Sequence, residues 1–369
     1  MYELALAQNR TNSNYLLHIG RLLVLLERYG KAAEILAESI SLNPREIKAY
    51  YWTAMALYYS RVSKGYAEMA KEYLLSAPYT TKSIDALTFI AEICLEQKEY
   101  EAAIQSYRDA LKLEPGNLDI LSKLALLHLR ISKEDMAFSL LGKALSYDPS
   151  HVPSILAVGS IIQLHGEFDV ALNKYRIAAE NCDYNSALWN NIGLCFFGKG
   201  KLVAAISCLK KANYLYPLDE RILYNLGLVH CSMQQYASAY HFLSSAVSLR
   251  PNSPMTLMAL AIVLTHLDDS KNARMAYECA LSLQEGCNPQ ILINYAIFET
   301  KKGNAERAEA FYTRSGQLLL RDSTEMQLVK HAAESLGKVL SSRNDYDKPP
   351  TPSHESGDDP VEKEKLLHT

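Results

Sequence analysis

Apolar, small and polar positions recur along this chain at a fixed spacing. The clearest block reads Trp189, Ile192, Gly193, Phe196, Ala205, Leu209, Ala212, Pro217, and the next 34 residues repeat its order with Leu223, Leu226, Gly227, His230, Ala239, Leu243, Ala246, Pro251. Apolar residues three and four apart on either side of a polar turn predict two amphipathic helices per block. Small residues at block positions 8, 20 and 27 mark where the two helices approach closely. Positions 4, 7, 11 and 24 supply the large side chains between them, and the proline at position 32 ends the second helix.

Phasing on Pro115, Pro149, Pro217 and Pro251 starts blocks near 84, 118, 152, 186 and 220. Position 8 is then Ala91, Ala125, Gly159, Gly193 and Gly227. Position 20 is Ala103, Ala137, Ala171, Ala205 and Ala239, and position 27 is Ala110, Ala144, Ala178, Ala212 and Ala246. Small residues held in register through five blocks identify the tetratricopeptide repeat (TPR). The expected fold class is therefore all-α, a right-handed superhelical solenoid of antiparallel helix pairs. The array is expected over 13–321 as about nine motifs: 13–46, an irregular 47–83, 84–117, 118–151, 152–185, 186–219, 220–253, 254–288 and 289–321. The irregular repeat keeps Tyr50, Ala54 and Leu57 but runs about three residues long, with its second helix shifted to Ala70, Leu74 and Ala77. Gly286-Cys287-Asn288 adds one residue to 254–288. Residues 1–12 read as the remnant helix of a preceding repeat, which implies an array shortened at its start. A capping helix is expected at 322–341, and the Asp-, Glu-, Lys-, Pro- and Ser-rich stretch 342–369 is expected to be a disordered tail.

Composition narrows the function classes. The 369 residues carry a net charge of −3, which gives no reason to expect nucleic acid or an anionic membrane as a direct ligand. Seven cysteines without CxxC spacing fit buried thiols in a reducing compartment. The start MYELALAQNR lacks a signal-peptide pattern and no apolar run reaches membrane-spanning length, so a cytoplasmic protein is expected. Among ten histidines only His230-Cys231 forms a His/Cys pairing, so no metal or cofactor is expected. Gly198-Lys199-Gly200 follows no strand and reads as a turn, and no GxSxG occurs. Catalysis is not expected.

Binding is the better question. First helices should line the concave surface, chiefly through positions 2, 5, 6, 9 and 12. Position 5 is Thr88, Ser122, Leu156, Asn190, Tyr224, Met258 and Ile293; position 9 is Glu92, Leu126, Ser160, Leu194, Leu228, Ile262 and Ile297. From about residue 186 onward, with Phe197 added, this predicts a mainly apolar lane suited to a partner helix or an extended segment. The competing reading is that several of these side chains pack against the neighbouring helix. Asn191, Asn225 and Asn294 all occupy position 6. They resemble the asparagine ladder of O-linked N-acetylglucosamine transferase, although polar residues can equally serve local helix ends. The Lys at position 5 and Asn at position 9 that hold a C-terminal carboxylate in chaperone-binding TPR domains occur together in no repeat.

Some strings go beyond the repeat consensus: Phe196-Phe197-Gly198-Lys199, Ile206-Ser207-Cys208-Leu209-Lys210 and Met233-Gln234-Gln235-Tyr236-Ala237-Ser238-Ala239. Within LAVGSIIQLHGEFDVALNKYR, LWNNIGLCFFGKGKLVAAISCLKKANYL and ILYNLGLVHCSMQQYASAYHFLSSAV they resemble the Bardet–Biedl syndrome 4 family, most strongly over about 150–300. The resemblance implies a non-enzymatic scaffold subunit of the BBSome, a cargo adaptor for ciliary membrane proteins. It implies as partners other BBSome subunits, including a second TPR subunit and a small helical subunit threading between the two, together with pericentriolar material and dynactin. It also implies residence in the cytoplasm, the cilium and its basal body, and the centrosome and centriolar satellites, with membrane reached only through the complex. The alternatives are a TPR module that recruits substrate to, or regulates, an enzyme, and a chaperone adaptor. The first lacks a catalytic domain after the array, and the second lacks the carboxylate clamp.

Overall fold

The computed structural model describes residues 12–61, 65–78, 80–283 and 288–319. The expected remnant helix at 1–12 (beyond Asn12), most of the insertion at 286–288, the capping helix at 322–341 and the tail at 342–369 lie outside the described residues. The chain forms two compact units, Met1–Pro217 and Leu218–Thr369.

The first unit carries α1 (Ser13–Leu25), α2 (Tyr29–Leu42), α3 (Ile47–Ser60), α4 (Tyr66–Ser76), a 3-10 turn (Thr80–Lys82), α5 (Ile84–Glu96), α6 (Tyr100–Leu113), α7 (Leu118–Arg130), α8 (Glu134–Tyr147), α9 (Val152–Leu164), α10 (Phe168–Asn181), α11 (Ser186–Gly198) and α12 (Leu202–Leu215). The second carries α13 (Glu220–Ser232), α14 (Tyr236–Leu249), α15 (Pro254–His266), α16 (Ser270–Leu283), α17 (Pro289–Lys301) and α18 (Ala305–Leu319). The described residues contain no strand. Each odd-numbered helix packs on the even-numbered helix that follows, giving nine helix pairs of an all-α TPR solenoid among the described residues.

Local chemistry sets each boundary. Asn12, Ser83, Asn117, Asn185, Asp219 and Asn288 cap first helices by accepting a backbone N–H, each worth about 1 kcal/mol. The turn to the second helix closes on a residue in the left-handed region in all nine pairs: Glu27, Arg61, Lys98, Ser132, Gly166, Gly200, Gln234, Asp268 and Gly303. The next N–H then reaches back to the helix, as from Glu99 to the Cys94 carbonyl (2.8 Å) and from Gln235 to the His230 carbonyl (2.9 Å), a Schellman closure. At the far end Glu114, Tyr216 and Arg250 leave the helical region, as the following proline favours. Their N–H groups bond to the carbonyls of Ala110, Ala212 and Ala246. Cys182 takes the same conformation without a following proline.

The core explains the small positions. Ala205, Ala212, Ala239 and Ala246 are completely buried between helices. A Cβ on Gly193 would stand 2.8 Å from Leu209, on Gly227 2.5 Å from Leu243, and on Gly159 2.3 Å from the Tyr175 ring. All three partners occupy position 24, so a glycine at position 8 makes room for that side chain.

The irregular repeat 47–83 is built differently. Its second helix, α4, has 11 residues where α6, α8, α10 and α12 have 14. Ala70 and Leu74 are buried, and the Thr80 hydroxyl donates to the Leu74 and Ala77 carbonyls to close the end. Aromatic contacts add to the packing of buried Ala54 and Ala70: Tyr58 meets Tyr66 and Phe89 edge-on, and both tyrosine hydroxyls donate to Glu96.

Candidate partner-binding faces

In the first unit, α11 carries the expected site residues Asn190, Asn191, Leu194 and Phe197, all half-buried. Trp189 serves the fold: its Nε1 donates to the Asp183 carbonyl (2.9 Å), and Lys211 Nζ lies 3.7 Å above its ring while pairing with Asp183. The Asn190 amide donates to Asn191 (3.4 Å), and the Tyr175 hydroxyl donates to Gln163 (3.4 Å). Burial drives the pKa of Tyr175 well above the ordinary tyrosine value. Of the partly open apolar side chains of α11, Trp189 and Phe196 pack against the core of Ile155, Tyr175 and Leu188, whereas Leu194 and Phe197 do not belong to that cluster.

In the second unit, positions 5 and 9 have different fates. Met258 and Ile293 at position 5 are buried, as is Asn225 at position 6. Met258 belongs to the core with Leu257, Ala261, Tyr277 and Ile291. This corrects the expected place of Met258, Ile293 and Asn225 on an open lane: their side chains fill the interior, and a partner cannot reach them, whereas Tyr224, also at position 5, stays partly open. Leu228, Ile262 and Ile297 at position 9 stay half-buried, as does Tyr224. Tyr224 and Leu228 rest on a cluster of Ala239, Leu243, Ala259 and Val263. Asn294 is half-buried, but its amide donates to the Gln290 carbonyl (2.9 Å) and approaches Met258 Sδ (3.5 Å), so its N–H groups are committed within the fold.

Ile262, Asn294 and Ile297 come together around a cleft of about 150 Å³, with Thr265 and His266 from α15, Tyr277 from α16, and Phe298 and Lys301 from α17. The lining mixes apolar Ile262, Ile297 and Phe298 with polar Thr265, His266, Asn294 and Lys301. His266 stacks on Tyr236 (4.4 Å between centroids), and burial, reinforced by Lys301, lowers its pKa. His266 and Lys301 were missed in the sequence, although each lies four residues beyond Ile262 or Ile297 and so one turn along the same face. Beside the cleft, fully buried Glu299 accepts from Arg274 through both oxygens (2.9 and 3.1 Å), which ties α16 to α17. Among the described residues no three His, Cys, Asp or Glu side chains gather as metal ligands, and no helix is long and apolar enough to cross a membrane.

The model described as "TPR repeat" matches residues 91–132, and that described as "Tetratricopeptide repeat" matches 13–46 and 186–217. BBSome complex member BBS4 of Bos taurus is 40% identical over 327 residues, covering 87% of this chain and 62% of the relative. The BBS4 homolog of Drosophila melanogaster is 32% identical over 330 residues, covering 85% and 68%, and bbs-4 of Caenorhabditis elegans is 38% identical over 294, covering 78% and 63%. The chain thus spans under two thirds of the bovine and worm relatives' own length. A monomeric mutant of IFIT1 superposes with a TM-score of 0.66 at 16% identity, covering 92% of this chain and 84% of that one. The APC/C hetero-tetramer Cut9-Hcn1 gives 0.57 at 16% identity over 92% and 80%. Those two likenesses concern the fold alone.

Proposed function

We propose, from the fact that this chain belongs to the BBS4 family of BBSome complex members, that it is a non-enzymatic scaffold subunit of the BBSome acting through protein binding. What supports the reading is similarity to BBS4 proteins along most of the chain, in a TPR fold whose half-open first-helix side chains include the apolar Leu194, Phe197, Leu228, Ile262 and Ile297. Leu194 and Phe197 in the first unit, and Leu228, Ile262 and Ile297 in the second, are the side chains offered to partners. An apolar helix face or an extended segment suits them. The small helical subunit and the second TPR subunit of the complex are the proposed occupants, with pericentriolar material and dynactin as further partners. The proposed locations are the cytoplasm, the cilium and its basal body, the centrosome and centriolar satellites. Membrane proteins are reached as cargo of the whole complex.

The test is affinity capture from ciliated cells with the full chain as bait, checked as soluble and helical. Recovery of other BBSome subunits is the expected result; their consistent absence overturns the reading.

A further inference from the structure

We propose that α1 and α3 form a separate recognition site for an acidic segment of a partner protein. Asn14, His18 and Arg21 lie at i, i+4 and i+7 on one face of α1, and Lys48 and Trp52 at i and i+4 on α3. With Leu17 and Glu46 they line a recess of about 200 Å³. The Arg21 guanidinium lies 5.5 Å from the centroid of Trp52, so the ring forms a half-buried shelf beneath an exposed cation.

Charge identifies the occupant. On other first helices Lys123 pairs with Glu92 at 2.7 Å and Arg221 with Asp219 at 3.1 Å, while Arg130 and Lys301 have no ion pair among the described residues. What sets Arg21 and Lys48 apart is that both line one recess. Arg21 and Lys48 are exposed and have no carboxylate within ion-pair distance among the described residues, although Glu46 lines the same recess. The Asn14 side-chain amide adds a neutral donor and acceptor at the rim. Two cations against one carboxylate, neither cation at ion-pair distance from a carboxylate among the described residues, call for an anionic ligand, and the Trp52 shelf with Leu17 calls for an apolar group beside it. Arginine and tryptophan are also the side chains that dominate binding energy at protein interfaces. Acidic residues alternating with apolar ones, in an extended segment, meet both demands.

The site differs from the lane at Leu228, Ile262 and Ile297, so either can fail without the other. The chain has two tryptophans, and a Trp189→Phe background leaves Trp52 as the sole tryptophan reporter in the full chain. The probe is an end-blocked peptide of alternating glutamate and leucine. A saturable change in Trp52 emission is expected, weakened by added salt. The glutamine–leucine counterpart, and the acidic peptide on an Arg21→Gln/Lys48→Gln variant, should each bind at least about tenfold more weakly, as loss of charge-assisted bonds requires. A lysine–leucine peptide, which tests the same point without altering the protein's charge, should not bind. The inference is overturned by no saturable signal with the acidic peptide, by equal binding of the glutamine peptide, or by equal binding to a helical double variant. A phosphoserine–leucine peptide about tenfold tighter than the glutamate one would also overturn it, making the occupant a phosphopeptide.

Discussion

Gly227 has Leu243 where its own Cβ would be, so Gly227→Ala forces overpacking in a closed interior. We expect it to destabilise the chain by about 1–3 kcal/mol, read as a lower urea midpoint. His128 presents the opposite case. It occupies position 11, where other repeats place Phe196 or Leu264, is almost fully buried, and neither ring nitrogen has a hydrogen-bond partner among the described residues. Burial, then Arg108 and Lys133, push its pKa below the ordinary histidine value. The folded state therefore resists protonating it, and its contribution is intact above the unfolded pKa near 6.5 and lost as pH falls below that. His128→Phe should raise stability by about 1 kcal/mol and flatten the decline in urea midpoint below about pH 6.5; an unchanged acid limb would remove His128 from the account. Positions 8, 20 and 27 were legible because steric exclusion leaves almost no choice of residue there. Position 11 was not, since buried His128, His230 and Glu299 each break the apolar rule there. Whether position 5 is open or filled depends on the neighbouring repeat, and that hid the burial of Met258 and Ile293.

At the scale of the element, the inter-helix turn is the most regular feature. The left-handed residue stands at position 15 of every described pair, yet six of the nine are not glycine. A left-handed side-chain residue costs roughly 1–2 kcal/mol, partly offset by the freedom a glycine loses on folding. Gln234→Gly and Asp268→Gly should therefore each stabilise the chain by about 0.5–1 kcal/mol. The checks are thermal unfolding and an undiminished circular dichroism spectrum; destabilisation by either would show that its side chain supports the turn. Helix pairs were readable from apolar spacing and prolines. The turn geometry was not, because Glu, Lys, Ser, Gln and Asp at position 15 carry no glycine signature. The shorter α4 was foreshadowed only by the shifted Ala70, Leu74 and Ala77, and the tyrosine contacts that support it have no counterpart in the consensus.

For the whole molecule, stability in a repeat array is approximately a sum of local terms between neighbours, so changes to one exposed surface should leave the fold intact. A net charge of −3 conceals the neighbouring cations Arg21 and Lys48, which line one recess with no carboxylate at ion-pair distance among the described residues. The most direct test of the central claim, that half-open first-helix side chains hold other subunits, is quantitative co-purification of BBSome subunits with the wild-type chain and with Leu228→Glu/Ile262→Glu. The account predicts a loss of about tenfold or more in recovered partners, as burying an unpaired carboxylate against an apolar partner requires, with helicity near wild type. Undiminished recovery with a folded variant would contradict it.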